Sequence, residues 1–181
     1  MTDLFSLNGK QFLITGGTRG IGRAISLRFA RAGAEIIANY IRDAKSADAL
    51  QAQAAEEGLK IELCRADLTS PKGLDKINVF LGDADNGLDG LIHCAATGVH
   101  KKLEELTSRH FDWTFSLNIR AFFELVKLIQ PRLREGASIL AFSSKGAVKA
   151  IPSYSVVGSS KGALEAFARH KTDESFIFQI Q

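Results

Sequence analysis

The sequence predicts a doubly wound α/β fold, a parallel sheet with helices on both faces, on three observations. Short β-rich apolar runs alternate with longer stretches of helical periodicity. A glycine-rich turn at residues 15–22 separates the first such run from the first helix. The intervening helical stretches run to roughly ten residues or more, the length that a crossover between parallel strands requires.

Each element follows from its own stretch of sequence. Phe12–Thr15 is a short apolar run, and Gly20–Ala32 has helical periodicity. Glu35–Tyr40 is the second strand, Asp43–Glu57 an Ala-rich amphipathic helix, and Lys60–Ala66 the third strand, ended by Asp67. A polar stretch and a helix follow to about Leu81, and Asp85-Asn86-Gly87 is a turn signal. Leu88–Cys94 is the fourth strand, expected to be buried apart from His93 and the flanking Asp89. One long helix is expected over Ser108–Leu133 and a fifth strand over Ala137–Ser143. The last helix begins near Ser153 and extends past Leu164 toward Arg169.

At 181 residues the chain suits one domain, read as a single unit over 1–181 with a regular part at about 9–170 and an atypical tail at 171–181. Apolar residues make up 45% and charged residues 24%, values of an ordinary globular protein. The net charge of +3 is spread along the chain without a Lys/Arg run, which argues against nucleic-acid and membrane partners. No stretch reaches the ~18 apolar residues of a membrane span, and no export signal opens the chain. Cys64 and Cys94, both in apolar surroundings, are expected to be buried reduced thiols, which fits a cytoplasmic location. No metal site is expected.

The turn Thr15-Gly16-Gly17-Thr18-Arg19-Gly20-Ile21-Gly22 lies directly between a strand and a helix. Glycines there let the backbone approach a pyrophosphate, and the N–H groups and dipole of the helix start face the anion. The fold is therefore read as Rossmann-type, with Gly16, Thr18, Arg19, Gly20 and Ile21 as dinucleotide contacts. The second strand ends Asn39-Tyr40-Ile41-Arg42, without the carboxylate that would accept from a ribose 2′-hydroxyl. Arg42 and Arg19 can instead pair with a 2′-phosphate, which favours NADPH over NADH. The alternatives are that Arg42 is a solvated surface charge and that Asp43 beside it weakens the field.

The spacing TGxxxGxG resembles the short-chain dehydrogenase/reductase family, and the resemblance runs from Gly9 to about Arg169. It implies that Asp67 and Leu68 hold adenine. His93-Cys94-Ala95-Ala96 stands where the family has Asn-Asn-Ala-Gly, so the resemblance implies cofactor contacts at Cys94, Ala95 and Ala96. Asn118 matches the helix Asn that supports a proton-relay water, and Ser144 the active-site Ser after the fifth strand. Ketone reductases of the family use Tyr-x3-Lys, but residue 157 is Val, and the nearby phenol is Tyr154. The resulting Tyr154-x6-Lys161, with Ser144 ten residues before the Tyr, resembles enoyl-acyl-carrier-protein reductases. Seven residues are about two helical turns, which would put Tyr154 and Lys161 on one helix face. Ala95–Val99 and Phe111-Asp112-Trp113-Thr114 resemble the NADPH-dependent enoyl reductase III subgroup, although Phe111 and Trp113 taken alone are packing residues of a helix start.

What the resemblance implies is NADPH-dependent reduction of the 2,3 double bond of a trans-2-enoyl thioester, as in fatty acid synthesis. Hydride added to the β-carbon leaves charge on the thioester oxygen, and a donor must follow that oxygen. Tyr154 would stabilise it, and Lys161 would hold the nicotinamide ribose. The alternatives are a carbonyl (3-ketoacyl-type) reductase of the same family and a non-catalytic dinucleotide-binding protein. The partner implied is an acyl thioester, free or on acyl carrier protein, and the helices from Ser108 and Ser153 are the family's surfaces for a homo-oligomer. Beyond Arg169 the sequence lacks the expected continuation, so the fold is expected to be C-terminally incomplete, with an apolar tail that supplies an edge strand, is disordered or promotes aggregation.

Overall fold

The computed structural model describes residues 5–82, 87–171 and 177–180. β1 (Gln11–Thr15) leads into α1 (Gly20–Arg31), β2 (Glu35–Tyr40) into α2 (Ala44–Glu56), and β3 (Ile61–Arg65) into α3 (Pro71–Leu81). After β4 (Leu88–His93) come a 3-10 turn (Leu103–Glu105), α4 (Ser108–Phe115), a π turn (Ser116–Arg120) and α5 (Ala121–Ile129). β5 (Leu133–Ala141), α6 (Ser155–Lys171) and β6 (Ile177–Ile180) follow.

The described strands form one parallel sheet in the order β3-β2-β1-β4-β5-β6. Helices cover both faces. Leu27 and Ala30 of α1 and Leu50 and Ala54 of α2 pack on one face with Ile14, Ile36 and Ile92. On the other, Ile77 and Leu81 of α3, Phe122, Leu125 and Ile129 of α5 and Leu164 of α6 pack with Leu13, Leu91 and Ile139. Each fully buried side chain of this kind contributes roughly 1.5–3 kcal/mol through removal of apolar surface from water. The strand order reverses between β1 and β4, and a crevice opens beyond their C-terminal ends, the usual ligand position in such sheets.

The expected elements are present, with four differences. The long helix is broken: α4 gives way to a π turn, α5 ends at Ile129, and Pro131 sits in a short 3-10 turn, where its ring nitrogen has no N–H to continue the helical hydrogen bonds. β5 starts at Leu133, four residues earlier than the apolar pattern predicts, through exposed Arg134–Gly136, where the register with β4 shifts and Gly136 adopts φ 75°. Asp89 and His93 are both buried, contrary to expectation, because β4 lies at the centre of the sheet and is covered on both faces. Fourth, of the three outcomes expected for the tail one is found, as Ile177–Ile180 pairs with β5 at the sheet edge. Asp85 and Asn86 of the expected turn lie outside the described residues.

Asp89 is buried with its charge satisfied. Its carboxylate accepts from Lys10 Nζ at 2.8 Å, from the Gln11 backbone N–H at 2.9 Å and from Arg134. Burial opposes its ionisation, yet these bonds hold its carboxyl below the usual range. Among the described residues no helix is long and apolar enough to cross a membrane.

Candidate functional site

The turn after β1 is shaped by glycine. Gly16 adopts φ 62°, a left-handed conformation, and a Cβ there would stand 3.2 Å from the Ala95 backbone nitrogen. At Gly22 a Cβ would overlap the carbonyl of Gly16. The turn is fixed from below: the Gly17 N–H donates to Asn39 O at 3.0 Å, and the Ser26 hydroxyl donates to Gly17 O at 2.9 Å. Side chains of Asp43, Ser70 and Thr107 cap α2, α3 and α4, but the residue before α1, Arg19, makes no side-chain cap bond. The first-turn N–H groups of α1 therefore stay available at the crevice.

The crevice is a cleft of about 620 Å³. It gathers Gly16, Thr18, Arg19, Gly20 and Ile21 from the turn, Arg42 from the end of β2, Asp67 and Leu68 from the end of β3, and Cys94, Ala95 and Ala96 from the end of β4. These are the sequence-predicted cofactor contacts with one exception, Lys161, which does not line it. Arg19 and Arg42 make no side-chain hydrogen bond or ion pair among the described residues. The nearby carboxylate of Asp43 is committed elsewhere, since it accepts from the Ser46 N–H at 3.0 Å and the Ser46 hydroxyl at 2.7 Å. Those two bonds, with smaller help from Arg19 and Lys45, hold its carboxyl below the usual value. Asp67 Oδ1 accepts from the backbone N–H and hydroxyl of Thr69, a turn that sets the start of α3. Asn39, buried, donates to Cys64 O and Ala66 O and pins the ends of β2 and β3 together.

Beyond β5 the candidate catalytic residues converge in part. The Tyr154 hydroxyl donates to Ser144 Oγ at 3.3 Å. Tyr154 stands immediately before α6, not on its face, and Ser153 ahead of it adopts φ 58°. A left-handed non-glycine residue is uncommon, and here it turns the chain so that the phenol reaches Ser144 from outside the helix. Its ring lies against Gly146, where a Cβ would overlap it, and edge-on to His100 with centroids 5.0 Å apart.

Lys161 is 6% exposed and donates from Nζ to Phe142 O at 2.6 Å. Burial lowers its ammonium from the ordinary lysine value, with the Cys94 thiol acting in the opposite sense. A buried ammonium needs an acceptor, and the carbonyl at the end of β5 supplies it. Asn118 sits in the π turn, 1% exposed, with its amide consumed: Oδ1 accepts from Thr97 N at 2.9 Å, and Nδ2 donates to Thr97 O and Ser160 Oγ, each at 2.9 Å. Its side chain thus clamps the loop after β4 onto α6.

His93 is 2.9 Å from Thr15 Oγ1, which also accepts from the Ala95 N–H. Its Nε2 has no hydrogen-bond partner among the described residues. Burial, followed by the nearby Lys161 charge, pushes the imidazole down to about 3. Both cysteines are free thiols, each pushed up to about 11 by burial; Cys64 is buried, but Cys94 is only half-buried in the cleft wall.

Sequence reasoning missed several lining residues, among them Tyr40, Thr69, Thr97, Trp113 and Leu117. Trp113 and Leu117, one helical turn apart just ahead of Asn118, carried a usable signal, because residues four apart share a helix face.

A family model described as enoyl-(acyl carrier protein) reductase matches residues 16–175. The chain is 31% identical over 162 residues to 1-cyclohexenylcarbonyl-CoA reductase of Streptomyces collinus, covering 90% of this chain and 58% of that protein. It is 33% identical over 165 residues to hydroxynaphthalene reductase-like protein Arp2 of Metarhizium robertsii, covering 91% and 62%. The chain thus spans about three-fifths of the length of these curated relatives. A short chain dehydrogenase from Burkholderia cenocepacia J2315, solved in complex with NADP, superimposes with a TM-score of 0.86 at 30% identity, over 96% of this chain and 73% of that one. With the glycine turn, the strand order and the Ser144–Tyr154 pair in the places described, these matches establish that the chain belongs to the short-chain dehydrogenase/reductase family.

Proposed function

We propose that this chain carries the nucleotide-binding and proton-donating parts of an NADPH-dependent reductase acting on the 2,3 double bond of a trans-2-enoyl thioester. The observation that carries the reading is the Tyr154 hydroxyl on Ser144 Oγ at 3.3 Å, reached from a position seven residues before Lys161. The family description, the cyclohexenylcarbonyl-CoA named for one relative and the NADP bound to one structural neighbour support it.

The cleft fits a dinucleotide by its own geometry. The tight turn has no room for a Cβ at Gly22 and little at Gly16, the start of α1 is uncapped, and two guanidinium groups stand at the β2 end with the nearest carboxylate already bonded. Gly16, Thr18, Gly20 and Ile21 would hold the pyrophosphate, Arg19 and Arg42 the 2′-phosphate, and Asp67 and Leu68 the adenine. Cys94, Ala95 and Ala96 would lie along the ribose. When bound, NADPH supplies the hydride.

Tyr154 turns its hydroxyl from Ser144 to the thioester oxygen, where negative charge collects during reduction, and Ser144 holds the phenol in reach. The buried Lys161 ammonium raises the local positive potential that favours that charge, and would hold the nicotinamide ribose of a bound cofactor. Asn118 holds the Thr97 loop that lines the cleft.

Carbonyl reduction is the second reading, favoured by the name of the Arp2 relative, and a non-catalytic dinucleotide-binding protein is the third. NADPH binding by fluorescence titration, followed by addition of crotonyl and then acetoacetyl thioester, separates them. NADPH loss with the crotonyl ester alone supports the proposal, loss with the acetoacetyl ester alone favours carbonyl reduction, and binding without turnover favours the third. The proposal extends to an acyl carrier for the thioester, to a reducing cytoplasm that suits two free thiols, and to a homo-oligomer formed through α4–α5 and α6, where Phe123 is 39% exposed.

A further inference from the structure

Trp113 is the only tryptophan of the chain and is 47% exposed, on α4. It lines the cleft together with Leu117, one helical turn further on. Leu117 packs against the core, and Ala66, Asp67, Leu68 and Thr69 after β3 line the same cleft as Trp113 and Leu117. The opposite side of α4 is occupied by the stacked rings of Phe111 and Phe115, with centroids 4.2 Å apart. Trp113 itself has no aromatic partner and no side-chain hydrogen bond among the described residues.

The half-exposed indole presents a large flat apolar surface to a cleft lined by both polar and apolar groups, where a planar ligand group can cover it. Arg19 and Arg42 stand in the cleft at the α1–α2 side and suit phosphate, whereas Tyr154 and Ser144, where the reacting ring belongs, lie beyond β5 and outside the cleft lining. The planar group left to the wall between Leu68 and Trp113 is the base.

Resting on the cofactor reading above, we propose that Trp113 is a nucleotide-binding residue, its indole forming an aromatic wall on which the adenine of the dinucleotide packs. Stacking on an aromatic side chain holds a base without hydrogen bonds and depends on the flat face alone. Two consequences follow. Affinity resides partly in an aromatic ring at residue 113, and occupancy of the adenine end changes the emission of the chain's single indole.

The test uses adenosine 2′,5′-bisphosphate, which carries the base and the 2′-phosphate but no nicotinamide, alongside NADPH. Saturable quenching of the wild-type indole by the bisphosphate is expected, with a Kd that matches calorimetry. Trp113→Ala is expected to weaken both ligands about tenfold, the scale of one lost base–aromatic stack, and Trp113→Phe to restore most of that loss. Circular dichroism checks that the variants are folded, and the wild-type quench stands independently of them. If calorimetry shows both ligands binding the wild type while Trp113→Ala binds within twofold of it and the indole is not quenched, the assignment of Trp113 is overturned and the cofactor reading stands. Failure of both ligands to bind the wild type overturns the cofactor reading and this inference with it.

Discussion

At the scale of single residues, the roles separate by what each group is bonded to. Tyr154 has one hydroxyl, held by Ser144, and no backbone helix bond depends on its ring. Tyr154→Phe is therefore expected to lower crotonyl-thioester turnover about 100-fold or more while leaving the Kd for NADPH unchanged, measured by single-turnover kinetics and fluorescence titration. Arg42 lies in the cleft with no side-chain hydrogen bond or ion pair among the described residues, so Arg42→Ala should act on the cofactor and not on the fold. The expected outcome is about tenfold weaker NADPH binding with NADH affinity unchanged, and equal loss for both would remove the 2′-phosphate role. His93 behaves differently because it is buried neutral, pushed down to about 3 against 6.5 for an ordinary imidazole. Below 6.5 the unfolded chain takes up a proton that the folded chain refuses, so stability falls as pH drops from about 6.5 to about 3. This group contributes up to about 1.4 kcal/mol per pH unit in that window. Denaturant melts of His93→Asn between pH 4.5 and 7 should show a visibly flatter pH dependence than the wild type.

Among the elements, the break between α4 and α5 organises the site. A π turn inserts one residue into the helical register, which lets Trp113 and Leu117 face the cleft while Asn118 turns inward. Asn118 then satisfies both backbone groups of Thr97 and ties that loop to Ser160 of α6. Asn118→Ala leaves the part-buried Thr97 backbone groups without their amide partner, a cost of about 1–2 kcal/mol, which a urea titration would register as a lower midpoint. An unchanged midpoint would mean that water replaces the amide. The helix starts show a comparable division. Side-chain caps close α2, α3 and α4, each worth about 1 kcal/mol, whereas α1 is left open where an anion can complete it.

Across the whole molecule, stability and chemistry sit at opposite ends of the sheet. The cleft lies beyond the C-terminal ends of the strands, at the reversal between β1 and β4. At the other end, Asp89 fastens three strands, through Lys10 and Gln11 beside and in β1 and Arg134 in β5. Neutralising it by Asp89→Asn weakens charge-assisted bonds to two half-exposed cations, with an expected loss of about 2 kcal/mol in unfolding free energy. NADPH affinity measured on the same variant should not move, because no cleft residue bonds to Asp89. A parallel loss of affinity would mean that the two ends of the sheet are coupled.

Much of this organisation was legible from local pattern. The alternation of strand and helix predicted all five regular strands, and the glycine turn predicted the cleft, because a backbone that must approach a phosphate excludes side chains at Gly16 and Gly22 wherever the chain folds this way. The burial of Asp89 and His93 was not legible, since alternation in a strand reads one covered face and β4 has two. Nor was the position of Tyr154: seven residues of spacing imply a shared helix face, but the left-handed Ser153 puts the phenol outside α6. Sequence determined the elements, their order and the phosphate turn, all of which depend on residues near one another in the chain. Tertiary structure alone decided which polar groups are buried and that Trp113 faces the cleft, because each depends on partners brought together from distant segments.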